Sequence, residues 1–432
     1  MKRDAVLLFA LAACGGGGHH TQDASPYDAP GDTLQTSADA AANGVTLRIT
    51  NNGVPVANVA SVFLDAQDKQ IAAVTTDASG NASATVGPGG SVTAVLHEGG
   101  GLDHLMTFTA VQPGDVLLIE LQPRAHTPAP QITVTAPANG SPYYSLFPSC
   151  GDTTGSIDGT FSFVPQDCGG AADFVVTTSA DMQSITGFLV ATNVLVGADA
   201  TLPGAFGAPI DRSYNYTDVP AMVTNVVTRA ALLGHNGPMY VAESAHDVAG
   251  DTAFMTTEPM PDTTGLGLSA LVVSNLYPQS SELGQQTMLE VADSATDYTL
   301  DVTQAMLPRY ITAPAYDAVS RTVGWGEAPA TSDANLVRAR IHAFRDDGAS
   351  GHSWTWQIVG AKNATSVTYP VIPALDGFSY VPIATDTIGV DELTTASLPG
   401  GYSGVRAHAF GDLNAFATSG RSVLETLFTP NL

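Results

Sequence analysis

The feature that most constrains the fold of this chain is the recurrence of short alternating apolar and polar stretches that end at turn residues. Residues 45–50 (VTLRIT) alternate, and Asn51-Asn52-Gly53 follows them as a hairpin signal. The chain contains 43 Gly and 27 Pro, and only 13% of its residues are charged. This balance is typical of exported proteins built from short strands and many turns. The sequence therefore predicts an all-β fold.

Length and charge limit the classes of function. The 432 residues are 44% hydrophobic, which is enough for several domains with cores of their own. The formal net charge is -26, and such a surface repels nucleic acids because they require a basic footprint. We therefore expect no nucleic-acid partner.

The first residues have the pattern of an export signal. Lys2 and Arg3 precede an apolar run from Ala5 to Ala13, which is too short to cross a bilayer, where about 20 residues are needed. Leu11-Ala12-Ala13-Cys14 resembles the lipobox of bacterial lipoproteins. The resemblance implies that residues 1–13 are a signal peptide and that the thiol of Cys14 carries a diacylglycerol. The alternative is an ordinary cleaved signal in which Cys14 has no role.

The segment after Cys14 is typical of a tether. Gly15 to Gly18 form a flexible spacer, and residues 14–43 are polar, small and without periodicity, which predicts a disordered tether. In bacterial lipoproteins, a residue other than Asp after the cysteine implies the outer membrane. We expect a protein anchored there through its lipid, facing either the periplasm or the surface.

The region 44–124 carries a further resemblance. Residues 76–82 (TDASGNA) form a turn between alternating stretches, and Gly87-Pro88-Gly89-Gly90 forms another. This arrangement resembles carboxypeptidase regulatory-like and bacterial Ig-like domains. The resemblance implies a seven-stranded β-sandwich, also called a carbohydrate-binding-like fold, which is usually a spacer or binding module. Its last strand is expected at 115–121.

The region 125–314 is predicted to be rich in short strands and to contain one disulfide. With Cys14 assigned to lipid, Cys150 and Cys168 remain as an even pair in an exported protein. A disulfide between them would stabilise the fold by roughly 3 kcal/mol, whereas two cysteines without a local histidine are at best half of a zinc site. The stretch Val219 to Leu233 suits either a helix or a strand.

The region 315–432 returns to clear alternation. Trp325 in an early strand and Tyr369-Pro370 before a turn resemble fibronectin type III or Ig-like domains. The segment Ser422 to Phe428 is expected to dock as a strand or a short helix. Gly401 to Val405 lacks the last glycine of a nucleophile elbow, and a β-hairpin is expected there instead. The fold class expected for the whole chain is tandem Ig-like β-sandwiches behind a lipidated tether.

Residues with chemical potential are few. Trp354 and Trp356 lie two apart in a strand, so both indoles project from one face. Exposed, they would form a platform for stacking on sugar rings; buried, they would be sandwich core. Any grouping of His235, His246 and His408 with Asp247 or Asp412 into an acid-base set is arbitrary, and no residue is assigned to catalysis, a metal or a cofactor.

These observations favour a non-enzymatic lipoprotein of the cell envelope or surface that acts as a binding, scaffold or adhesion module. Its expected partners are the membrane and an envelope or surface protein or polysaccharide. One alternative is a carbohydrate-binding lipoprotein that uses the aromatic residues of its C-terminal region. A second alternative is a hydrolase with an unrecognised site in the middle region.

Overall fold

The fold is known from a computed structural model. It describes residues 44–98, 102–121, 130–182, 184–248, 250–307, 310–328, 334–346, 348, 351–375, 377–406 and 421–428. Strands make up 61% of the described residues and helices 2%, which confirms the predicted all-β class. The predicted signal peptide 1–13, Cys14 and the tether 14–43 lie outside the described residues.

The strands fall into six sheets and two short helices interrupt them within the described part of the chain. The first fifteen strands are β1 Gly44–Asn51, β2 Val54–Pro55, β3 Ala60–Leu64, β4 Gln70–Thr75, β5 Asn81–Thr85, β6 Gly90–Glu98, β7 Leu102–Val111, β8 Val116–Glu120, β9 Ile132–Thr135, β10 Tyr143–Pro148, β11 Thr154–Ser156, β12 Thr160–Phe163, β13 Ala171–Ser179, β14 Ile185–Leu195 and β15 Ala200–Thr201. The later elements are β16 Ile210–Thr217, β17 Val223–Gly234, β18 Gly237–Asp247, β19 Phe254–Met260, β20 Ser269–Pro278, β21 Gln285–Asp293, β22 Tyr298–Asp301, α1 Val302–Ala305, β23 Tyr310–Asp317, β24 Thr322–Ala328, β25 Leu336–Asp346, β26 Gly351–Ala361, β27 Ser366–Thr368, β28 Thr387–Ser397, α2 Gly401–Val405 and β29 Ser422–Phe428.

The first sandwich lies within 44–121 and is consistent with the Ig-like resemblance, but it has eight strands rather than the seven expected, because the two-residue strand β2 adds to the edge of one layer. Strands β2, β1, β5 and β8 form one layer, and β4, β3, β6 and β7 form the other. The layers enclose a core that includes Val45, Leu47 and Phe63, none of which is exposed. The expected hairpin is present: Asn51 pairs with Val54, and Asn52 and Gly53 both have positive φ, as a tight two-residue turn requires.

The middle region contains two sandwiches. In the first, the sheet β11-β10-β13-β14 and the sheet β12-β9-β15 enclose a common core. The predicted disulfide is present there and joins Cys150 to Cys168 across a Cα–Cα distance of 5.4 Å. In the second, the sheet β19-β16-β22 packs on strands β18, β17, β20 and β21. The ambiguous stretch 219–233 is therefore mainly strand β17.

The last sandwich packs the sheet β23-β24-β27 on strands β26, β25 and β28. Residues 422–428 are strand β29, and so the strand alternative is the correct one. The hairpin expected at Gly401–Val405 is wrong, because these residues form helix α2. The preceding Gly400 and the first helical residue, Gly401, have positive φ, and the turn lets Tyr402 bury its ring and donate to the Thr109 carbonyl.

Three of the four sandwiches share a twelve-stranded sheet of order β18-β17-β20-β21-β29-β28-β25-β26-β7-β6-β3-β4. Two junctions make it continuous. Strand β7 pairs in parallel with β26, residues 102–108 against 353–359, and β29 pairs with both β21 and β28. The domain boundaries at 124 and 314 stay predictions, but the sheet runs through all three predicted regions. Within the described part of the chain, no helix is long and apolar enough to span a membrane.

Candidate binding groove

Of the two alternatives for Trp354 and Trp356, the structure supports burial in the core and excludes the exposed aromatic platform. Trp354 and Trp356 do share one face of β26, but both are fully buried in the core beneath the sheet β23-β24-β27. The indole Nε1–H of Trp356 donates to Thr107 Oγ1 at 2.8 Å, and its ring packs edge-on against Tyr369. Burying large aromatic rings is more favourable in free energy than leaving them exposed to water. Neither indole is therefore available to a sugar.

The opposite face of the same strands carries a groove, which we call the sheet groove. It is lined by His104, Leu105, Met106, Arg340, Thr355, Gln357 and Asp391 and encloses about 490 Å³, including the space that is open to solvent. Because side chains alternate along a strand, the residues between the buried tryptophans and beyond them, Thr355 and Gln357, face this groove. The groove therefore lies over the junction between the first and the last sandwich.

Two cross-strand rows build the floor of the sheet groove. Directly paired residues point to the same side of a sheet. The upper row runs through three paired residues of β7, β26 and β25: His104, Thr355 and His342. The lower row runs likewise through Met106, Gln357 and Arg340.

A β-bulge supplies the acidic side of the sheet groove. Arg340 pairs with Glu392 and Ile341 with Val390, so Asp391 is an extra residue in β28. A bulge changes the direction of side chains, and here Asp391 and Glu392 both reach the arginines and histidine of this face. Without the bulge, one of the two carboxylates would point into the opposite core.

The imidazole of His342 is held in place on two sides. Its Nδ1 donates to Asp391 Oδ1 at 2.5 Å. Its ring lies flat against Gly389, the cross-strand partner, where an added Cβ would come within 2.1 Å of the ring. The close approach of the ring therefore favours glycine at 389, and the imidazole is held in place on the same face of the sheet as the groove.

Two arginines follow each other along this face of β25. Arg338 donates to Glu392 Oε1 at 2.6 Å. Arg340 has only longer ion pairs, 3.7 Å to Asp391 Oδ2 and 3.7 Å to Glu392 Oε2. Its Nε is buried and has no hydrogen-bond acceptor among the described residues, while 40% of its side chain is exposed. Arg340 is therefore the more exposed and the more loosely paired of the two arginines, and its guanidinium is the one that a ligand can reach.

The side of the sheet groove that β7 and β26 form is polar in the upper row and partly apolar in the lower row. His104 Nδ1 and Thr355 Oγ1 are hydrogen-bonded at 2.6 Å, and Met106 lies below them beside Gln357. On this face of the sheet, the guanidinium groups of two arginines and the carboxylates of Asp391 and Glu392 balance one another in formal charge. The groove thus offers donors, acceptors and an apolar contact without a strong net charge.

A second polar cluster, which we call the seam cluster, crosses the β7–β26 junction beside the sheet groove. The buried carboxylate of Asp103 accepts hydrogen bonds from Tyr380 Oη at 2.6 Å, His97 Nδ1 at 2.7 Å and His352 Nε2 at 2.9 Å. Burial by itself would raise the pKa of Asp103, but the bonds from Tyr380, His97 and His352 outweigh it and lower the pKa below its usual 3.8. Asp103 thus ties the first sandwich to the last one as an ionised carboxylate.

A third polar cluster lies in the middle region. His235 donates from its backbone N–H and from its ring to Asp173 Oδ2, at 2.7 and 2.8 Å, and both residues line a pocket that is too small for a ligand. Ser149 Oγ accepts a hydrogen bond from the backbone N–H of Asp173, so its bond is to the main chain and not to the Asp173 carboxylate. Asn236 donates to the carbonyl oxygens of Cys168 and Ala171, and this holds the disulfide loop on the β17–β18 turn.

The other histidines and acids weighed from sequence do not assemble. His246 stacks on Phe254 with ring centroids 4.4 Å apart, and Asp247 accepts from Asn225. His408, Asp412 and the expected lipidation site Cys14 lie outside the described residues. No group of three or more metal-ligating side chains occurs among the residues that the structure describes.

No known protein family and no curated protein sequence matches the chain. Among solved structures, the Bacillus anthracis TIE protein matches 60% of this chain at 8% identity and a TM-score of 0.15. The chain spans about half of that protein, 49% of its length. BcpA, the major pilin subunit of Bacillus cereus, matches 60% of this chain and 97% of its own at 10% identity and a TM-score of 0.15. Similarities this weak carry no argument about function.

Proposed function

We propose that this chain is a non-enzymatic lipoprotein of the bacterial cell envelope, a binding or scaffold module held at the outer membrane by a lipid on Cys14. The lipobox and the Gly-rich spacer support the anchor, and the sandwich at 44–121 supports the carboxypeptidase regulatory-like or Ig-like resemblance. The partner is an envelope or surface protein or polysaccharide.

The observation that carries the binding role is the sheet groove on a rigid support. A twelve-stranded sheet spans about 50 Å at the usual spacing of ~4.8 Å between strands. Every strand under the groove is hydrogen-bonded on both sides, which holds the residues that line it in fixed positions. His342 is bonded to Asp391 and Arg338 to Glu392, and such fixed pairs suit recognition of a ligand better than proton transfer.

The anchor is tested by replacing Cys14 with Ser in the full chain and following the protein in membrane and soluble fractions. Metabolic labelling with an alkyne fatty acid reports acylation directly. We expect the parent chain to be labelled and membrane-bound and the Cys14→Ser chain to be unlabelled and soluble. A variant that remains labelled and bound would rule out this anchor.

The binding role is tested by cross-linking in cells, followed by mass spectrometry of captured proteins and glycan staining of captured polymers. The Cys14→Ser chain is the control for location, because it keeps the fold but loses the proposed anchor. Capture of a specific envelope protein or polysaccharide that disappears with the control supports the proposal. Capture of no envelope component by the anchored chain contradicts it.

A further inference from the structure

The sheet groove has the chemistry of a saccharide site, and this inference rests on the binding function proposed above. We infer that the groove binds a short, uncharged saccharide. A sugar hydroxyl is both a donor and an acceptor, so a sugar site must present both kinds of group in one place. Along the groove, Arg340 donates, Asp391 accepts, and Gln357 does both.

The arrangement of donor and acceptor across the groove matches this ligand. The side chain of Asp391 is only 13% exposed whereas that of Arg340 is 40% exposed, so the acceptor lies at the floor and the donor at the rim. Met106 gives the apolar contact that the C–H face of a pyranose ring requires.

The free donor capacity lies where a hydroxyl would reach it. The Arg340 side chain is 40% exposed, and its ion pairs with Asp391 and Glu392 are both 3.7 Å long. Its exposed N–H groups can therefore donate to a hydroxyl oxygen bound in the groove. The proton of that hydroxyl would bond to Asp391 or Gln357.

Other ligand classes fit the groove less well. The face of the sheet that carries the groove has two carboxylates against two guanidinium groups and offers no local excess of positive charge, while the whole chain has a formal charge of -26. A phosphate or an acidic sugar is therefore disfavoured by the charge of the whole chain. A peptide that adds to a sheet needs an unpaired edge, but strands β7, β26, β25 and β28 are paired on both sides. A neutral ligand with many hydroxyls remains the class that these contacts favour.

The test is a binding titration of the full chain, purified in detergent, against maltose, cellobiose, lactose and a disaccharide that contains glucuronate. Isothermal titration calorimetry measures Kd, and chemical-shift or fluorescence changes provide a second readout. The groove variants are Arg340→Gln and Gln357→Leu. The matched control is Arg229→Gln, which removes an arginine on β17 of the same sheet that is ion-paired with Glu243. Circular dichroism confirms that each variant folds.

We expect at least one neutral disaccharide to bind, with Kd raised tenfold or more in both groove variants and unchanged in Arg229→Gln. Tighter binding of the glucuronate disaccharide would overturn the neutral class, and equal binding by all variants would overturn the groove as the site. If no saccharide binds while cross-linking still captures an envelope protein, the inference fails and the proposed function stands. If both experiments are negative, both fail.

Discussion

Replacing Asp103 with Asn tests how the first and last sandwiches are joined. The carboxylate lies in the seam cluster on β7 and bonds to His352 on the neighbouring β26, although 249 residues separate the two in sequence. Asn has nearly the same volume, but it is neutral and cannot accept three hydrogen bonds from these donors. We expect the fold of each sandwich to be otherwise unchanged.

The size of the effect follows from the exposure of the three donors. Tyr380 is 2% exposed and the His352 side chain 31%, and a hydrogen bond to a charged group is worth about 1.5 kcal/mol at the lower end of the measured range. The His97 side chain is 51% exposed, so water screens its contribution to about 0.5 kcal/mol or less. We expect Asp103→Asn to lower the free energy of unfolding by about 3 kcal/mol.

The assay is denaturant unfolding followed by tryptophan fluorescence, because the Trp354 and Tyr380 rings are 6.3 Å apart. Tyr380→Phe is the partner variant, and the double variant completes a cycle that isolates their coupling. We expect the two losses to be clearly non-additive. A loss below about 1 kcal/mol for Asp103→Asn, or additive losses, would refute the view that this carboxylate joins the two sandwiches.

Three further predictions follow from the same structure. The Asp103 carboxylate has a lowered pKa, so its contribution is complete above its unfolded pKa of about 3.9 and is lost as the pH falls through the lower folded value; the difference in unfolding free energy between the parent chain and Asp103→Asn should narrow below pH ~4. The double change Cys150→Ser and Cys168→Ser should lower the stability of its sandwich by about 3 kcal/mol and remove any effect of reductant on unfolding; a parent chain indifferent to reductant contradicts this. Trp356→Ala should cost about 3–5 kcal/mol and Trp356→Phe less, as measured by the same denaturant assay; an Ala variant as stable as the parent would show that this indole is not core.

Local signals in the sequence predict much of the local structure. Asn52-Gly53 predicts its hairpin because both residues tolerate positive φ, and alternation places Trp354 and Trp356 on one face. The same alternation cannot decide which face is covered, because that depends on where the distant sheet β23-β24-β27 packs. The stretch 219–233 was ambiguous because its spacing suits both periods, and pairing with β18 and β20 decides for a strand.

The sheet groove was missed because its residues come from four strands spread over 288 positions, from 104 to 391. One signal was present in β28. Apolar residues fall at 388 and 390 and then at 393, which shifts the period of two by one residue, and this shift marks the bulge at Asp391. Nothing local indicates the parallel pairing of β7 with β26, since it depends on contacts between two sandwiches. The complete groove could therefore not be predicted from the sequence. Only the bulge that brings Asp391 to this face had a signal in the sequence.

The sheet groove and the seam cluster depend on the same junction, and this links binding to stability. His104 and Met106 belong to β7 whereas Arg340, Thr355 and Asp391 belong to the last sandwich, so the complete groove exists only while β7 and β26 are paired. A ligand that requires the paired state must stabilise it, by about 2.7 kcal/mol at a concentration of 100 times its Kd. A saccharide bound in the groove should therefore restore most of the stability that Asp103→Asn removes, without touching that residue. Binding that leaves the unfolding of this variant unchanged would place the ligand on one sandwich alone.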